Sequence, residues 1–93
     1  MTFKVLVSDQ LAAEGLRLLQ QDSSVEVLNK PGIAKAELLQ LVSGCEALVV
    51  RSATQVDSDV IGAGKSLRVI GRAGIGVDNI DVSAATRAGI VVM

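Results

Sequence analysis

"ALVVRSATQVDSDVIGAGKSLRVIGR", residues 47 to 72, sets two apolar runs on either side of a polar, cappable stretch. Ala47-Leu48-Val49-Val50 is continuously apolar and rich in β-branched residues, the pattern of a strand buried on both faces. Asp57 stands where a side-chain oxygen can cap a short helix running through Val60 and Ile61, and Leu67 to Ile70, apolar but for Arg68, gives a fourth strand. Strand, helix and strand in this order make a crossover unit, whose two strands run parallel and whose hand is right.

The flanking sequence repeats the alternation. Phe3 to Val7 is an apolar, β-branched strand, with Ser8-Asp9 after it as an expected helix N-cap pair. Leu11, Gly15, Leu18 and Leu19 fall at helical spacing on one face, and Val25 to Leu28 is a second strand. Pro31-Gly32 breaks the chain before a helical pattern of Leu38, Leu39, Leu41 and Val42 that stops near Gly44. At the other end Asp81 caps a helix over 82–88, Gly89 ends it, and Ile90 to Val92 is a fifth strand. The expected fold is therefore α/β: a flavodoxin-like three-layer sandwich with a five-stranded parallel sheet, order 2-1-3-4-5, covered on both faces. Ligands of such sheets gather beyond the carboxyl ends of the strands, which points to Ser8-Asp9, Arg51 to Thr54 and Gly71 to Asn79.

Composition narrows the classes. The 93 residues suit one domain, 1–93, in which a single core buries about 60 to 65% of the unfolded chain's surface. Apolar residues make up 49% and charged ones 20%, a globular balance. Nine basic against ten acidic residues and a single aromatic, Phe3, supply neither the basic footprint nor the stacking surface that nucleic acid needs. Cys45 has no second cysteine to pair with and no histidine to share a metal with, so a reduced, cytoplasmic setting and a small buried thiol are expected. The apolar runs are far shorter than the roughly 20 residues of a spanning helix, and no membrane partner is expected.

Three motifs bear on chemistry. Gly64-Lys65-Ser66 resembles the end of a phosphate loop, but Asp59 occupies the required glycine position and the motif leads into a strand, so it reads as a turn. Gly74-Ile75-Gly76-Val77-Asp78-Asn79 looks like a dinucleotide fingerprint with asparagine for its third glycine, and the acidic residue needed about 20 positions on is missing. Glycines there can still bring backbone N–H groups close to a small anion. Arg51 and Arg72 follow apolar strands at the ligand-bearing ends, with Ser52 and Thr54 nearby, where guanidinium forks suit carboxylate or phosphate. Either arginine alone reads better as a solvated or salt-bridged surface charge, and the pair at adjacent strand ends leaves both readings open. Asp78 and Asp81 read as turn and cap residues before an acid pair or a metal site, and with no histidine in the chain no Ser-His-Asp triad or activated Cys45 nucleophile exists.

"VRSAT" at 50–54, "VIGRAGIGVDNIDVSAATRAGIVVM" at 69–93 and the opening "KVLVSDQLAAEGLRLL" resemble the D-isomer-specific 2-hydroxyacid dehydrogenases, most closely the branch acting on 3-phosphoglycerate. The resemblance implies the N-terminal part of a substrate-binding domain of flavodoxin-like form. It implies that the backbone of Ile75 and Gly76 takes a substrate carboxylate, that Arg51, Ser52 and Arg72 hold the acid or its phosphate, that Asn79 braces the loop, and that Ile75 approaches the nicotinamide of NAD. It also implies that the catalytic arginine, glutamate and histidine and the NAD-binding domain lie outside these 93 residues, so that no catalytic residue is carried here, no cofactor is expected on this chain alone, and alone it is inactive or only weakly acid-binding. With no closing helix after the fifth strand, self-association over an uncovered sheet face is expected. The alternative is an engineered or stand-alone flavodoxin-like fragment with no ligand function. A receiver or flavin domain fits poorly, since Arg51 stands where a receiver needs aspartate and "SDQLAAEG" is no flavin-phosphate loop.

Overall fold

The computed structural model describes residues 3–73 and 79–93. Among the described residues the elements in chain order are β1 Phe3–Val7, α1 Ala13–Gln20, β2 Val25–Asn29, α2 Lys35–Val42, β3 Ala47–Val50, α3 Ser58–Ala63, β4 Val69–Arg72, α4 Val82–Arg87 and β5 Val91–Val92. All strand pairs are parallel and the sheet order is β2-β1-β3-β4-β5, as the crossover pattern predicts.

Register explains the layers. Leu28, Leu6, Leu48, Ile70 and Val92 are successive partners across the sheet, and their side chains face α2, α3 and α4. Leu6, Leu48, Ile70, Val42 and Val60 are fully buried there, forming the larger core. Side chains alternate along a strand, so the neighbouring row, Val27, Val5, Ala47, Val69 and Val91, faces the other way. On that side the packing helix is α1, through Leu16 and Leu19 with Leu11 ahead of it. Cover therefore falls off across the sheet. Val5 is buried, Val69 half-buried and Val91 58% exposed, and an apolar groove of about 490 Å³ opens between α1 and the ends of β3 and β4. Helices stand on both faces as expected, and the lack of cover expected at the terminal strand and on one face is seen at Val91 and in this groove. Leu18, expected on the inner stripe of α1, is 68% exposed, because it lies about 200° round the helix from Leu16.

The local stops behave as their chemistry requires. Asp57 accepts from Val60 N at 3.1 Å and Asp81 from Ala84 N at 3.0 Å, capping α3 and α4. Gly89 ends α4 with φ of 77°, a conformation costly for any residue with a Cβ. Gly64-Lys65-Ser66 is the turn from α3 to β4. A Cβ at Gly64 would come within 2.9 Å of Leu67 Cβ, so the glycine is there for packing and not for phosphate. The fourth strand begins at Val69, not Leu67: Leu67 closes the turn through Gly64 O at 3.0 Å, and pairing starts opposite Ala47. The fifth begins at Val91, because the Ile90 N–H is held by Ala85 O at 2.8 Å. No helix among the described residues is long and apolar enough to cross a membrane.

Candidate functional site

The carboxyl ends of β1, β3 and β4 stand side by side, and three polar residues buried among them, Ser8, Asp9 and Asn79, tie their loops together. Ser8 and Asp9 do not cap α1. That helix starts four residues later, at Ala13, behind Ala12, which offers no capping side chain. The expected cap is corrected because Asp9 has longer-range work: Oδ2 accepts from Arg51 N at 2.7 Å and Thr54 N at 3.0 Å, and Oδ1 accepts from Thr54 Oγ1 at 2.6 Å. Burial pushes the Asp9 carboxyl up, but the Thr54 hydroxyl and the N–H groups of Thr54, Arg51 and Ala53 outweigh it and hold the group below the ordinary aspartate value.

Asn79 grips the same loop from the opposite side. Its Nδ2 donates to Arg51 O at 2.6 Å and Thr54 O at 2.7 Å, while Oδ1 accepts from Arg72 Nε at 2.8 Å. One buried amide thus joins the end of β3 to the side chain at the end of β4. The backbone reinforces this, since Val56 N donates to Asn79 O at 2.7 Å and Asp81 N to Val56 O at 2.9 Å, a one-residue parallel bridge between Val56 and Ile80.

Of the residues singled out in the sequence, the structure brings Arg51, Ser52, Arg72 and Asn79 to one rim. Arg51 and Ser52 are exposed, Arg72 is half-buried, and Arg51 also donates from Nη1 to Gln10 O at 3.3 Å. Val50 and Arg72 are register partners on neighbouring strands, so Arg51 leaves β3 directly beside the end of β4. Ile75, Gly76 and Asp78 lie outside the described residues. Asp9 and Thr54 carry more of the site's architecture than sequence reasoning assigned them. The available signal was position: a capping box starting at Asp9 needs Glu or Gln at 12, where Ala12 stands, and both polar residues follow buried strands.

A second hollow, about 390 Å³, lies across Asp9 and Thr54 toward Ile33 and Lys35. Its cation is already engaged, Lys35 Nζ being 2.6 Å from Asp57 and 3.6 Å from Asp59. Among the described residues no cluster of three histidine, cysteine or acidic side chains forms a metal site.

Two arginines thus stand at adjacent strand ends, a residue type whose guanidinium suits carboxylate or phosphate. Residues 5–93 match the family model described as "D-isomer specific 2-hydroxyacid dehydrogenase, catalytic domain". The chain belongs to this family. Over 90 residues it is 53% identical to a D-3-phosphoglycerate dehydrogenase of Sus scrofa and 49% identical to that of Archaeoglobus fulgidus, covering 97% of this chain and 17% of each relative. The crystal structure of NAD+-bound 3-phosphoglycerate dehydrogenase of Entamoeba histolytica superposes with a TM-score of 0.86 at 29% identity, over 100% of this chain and 32% of that one. The chain thus spans about a sixth of the length of these curated relatives and about a third of the solved neighbour.

The family's cofactor does not fit the residues described. A dinucleotide fold needs glycine at the position of Asn79, for close packing of strand on helix, and puts pyrophosphate on the following helix N-terminus. Here Asn79 has a side chain engaged at both ends, and the Asp81 carboxylate already occupies the N-terminus of α4. In this 2-hydroxyacid dehydrogenase segment Asn79 and Asp81, the described residues after the glycine-rich stretch, are committed to the fold and not free for a pyrophosphate.

Proposed function

We propose that these 93 residues are the N-terminal segment of the substrate-binding domain of an NAD-dependent D-3-phosphoglycerate dehydrogenase, a cytoplasmic oxidoreductase of serine biosynthesis. They would form the acid-holding wall of a cleft whose other wall is a separate NAD-binding domain. The observation that carries this reading is the yoke through Asn79, which sets Arg51 and Arg72 at neighbouring strand ends directly ahead of Gly74-Ile75-Gly76. Arg51, Ser52 and Arg72 hold carboxylate and phosphate oxygens, and the main-chain N–H groups of Ile75 and Gly76 take the carboxylate. Ile75 faces the nicotinamide, and Asn79 keeps the two cationic ends at fixed spacing. The share of these residues in catalysis is to bind and orient the acid, which converts an encounter into a positioned one. With no histidine in the sequence, the proton acceptor for the 2-hydroxyl comes from elsewhere, and the 93 residues alone turn nothing over.

Titration of 3-phosphoglycerate into the ¹⁵N-labelled chain tests this. Amide signals of Ser52, Ile75 and Gly76 move and saturate in the millimolar range, and the Arg51→Ala and Arg72→Ala variants abolish the movement. Signals that stay still at millimolar ligand overturn the reading. Formation of NADH by this chain from 3-phosphoglycerate and NAD would overturn the division of labour.

A further inference from the structure

We propose that Asp9 is a positioning residue that, with Thr54, shapes the Arg51–Thr54 segment into its acid-receiving form without touching the ligand. The proposal rests on the substrate reading above for what the segment receives, but its structural half stands on geometry alone.

The segment is gripped at its two ends on both edges of its backbone. Asp9 Oδ2 takes the N–H groups of Arg51 and Thr54, and Asn79 Nδ2 takes the C=O groups of the same two residues. Between these ends Ser52 and Ala53 are exposed, so the bend they make is aimed at solvent and at any ligand there. Asp9 itself is 5% exposed, and both oxygens face donors of this segment. That leaves it nothing to offer a substrate, and an ionised carboxylate can only accept.

Hydroxyl directions then follow. Thr54 has one hydroxyl hydrogen, committed to Asp9 Oδ1 at 2.6 Å, so at the 2.9 Å contact with Ser8 Oγ it accepts and Ser8 donates. Ser8 in turn is anchored to the sheet through its N–H on Val49 O at 3.1 Å. A chain of polar contacts therefore runs from the ordered edge of β1 and β3 to the far end of the loop. Sequence separations of 41 to 46 residues make each of these contacts a tertiary one.

The chemistry distinguishes charge from geometry. In Asp9→Asn the amide oxygen can take the two backbone N–H groups while its NH2 donates to Thr54 Oγ1, and the hydroxyl chain reverses so that Thr54 donates to Ser8. Asp9→Ala has no such repair and leaves the two N–H groups without their acceptor. Thr54→Ser keeps the relay; Thr54→Val removes it at constant volume.

The test compares these four variants for amide hydrogen exchange in the free protein and for affinity toward 3-phosphoglycerate. Asp9→Ala and Thr54→Val speed exchange at Arg51 and Thr54 by about tenfold or more, the equivalent of one lost hydrogen bond, with Leu48 and Ile70 unchanged. Affinity for 3-phosphoglycerate falls by a similar factor, and Asp9→Asn and Thr54→Ser restore both to within about threefold. Unchanged exchange in Thr54→Val, which keeps the fold if Asp9→Ala does not, overturns the proposal. So does an affinity loss no larger than the unfolded fraction of each variant accounts for. If the wild-type chain does not bind 3-phosphoglycerate the substrate reading falls, and the exchange data still decide whether Asp9 sets the loop.

Discussion

Asn79→Ala removes the amide that joins two strand ends, and its cost can be built from the structure. Two N–H···O bonds are lost, to Arg51 O at 2.6 Å and Thr54 O at 2.7 Å, each contributing about 1 kcal/mol net. The third, from Arg72 Nε at 2.8 Å, is charge-assisted, and with Arg72 half-buried we take the lower value of about 1.5 kcal/mol. The total is about 3 to 4 kcal/mol, against a whole stability of about 5 to 14 kcal/mol for a chain of this size. For such a domain that is a fall in Tm of about 15 to 25 °C. The chain has no tryptophan or tyrosine, so urea unfolding is followed by far-UV circular dichroism, and the slope m should be unchanged while the midpoint falls. Asn79→Asp is the informative companion. It keeps the size and can still accept from Arg72, but it sets oxygen against the Arg51 and Thr54 carbonyls, and it should be at least as damaging. An Asn79→Ala protein within about 1 kcal/mol of wild type would refute the reasoning, because water would then be replacing all three bonds at no net cost.

Asp9, held below the ordinary aspartate value, contributes stability that is present above the unfolded value of about 3.9 and is lost as pH falls through its folded value. The difference in urea midpoint between wild type and Asp9→Asn should therefore narrow on acidification below pH 4; a constant gap contradicts it. Gly89→Ala should cost about 1 to 2 kcal/mol through backbone strain alone, since φ is 77° and nothing lies within 4 Å of the added Cβ, whereas Gly44→Ala, with open space and no positive φ, should shift the midpoint little. Cys45 has its thiol pushed up by burial and then by the Glu46 charge, and it donates to Leu41 O at 3.3 Å, so reaction with a disulfide reagent should track the globally unfolded fraction across a urea series.

Strand identities and the caps at Asp57 and Asp81 were legible in the chain itself, because each is a short-range matter, and the order β2-β1-β3-β4-β5 followed from the alternation of strand and helix under the right-handed crossover rule. An apolar run of four or five residues, a carboxylate three positions before the N–H it caps and a glycine after a helix all act within one turn or one strand. The placement of Arg51 and Arg72 at neighbouring strand ends follows from that order. The geometry between them does not. Ser8-Asp9 carries the local signature of a helix cap, and only folding brings it against Thr54, 45 positions away, where three donors compete for the carboxylate and win. For Asn79 the family resemblance implies a loop brace, but its partners, Arg51, 28 positions back, and Thr54, come within hydrogen-bond reach only in the fold. Uneven cover of the sheet was expected in outline, but its extent depends on how far α1 reaches across strands it does not precede. Periodicity and capping chemistry are encoded in neighbouring residues and so determined the elements and their order. Which buried polar group satisfies which backbone group depends on distances set by the packed sheet, and that was decided by the tertiary structure alone.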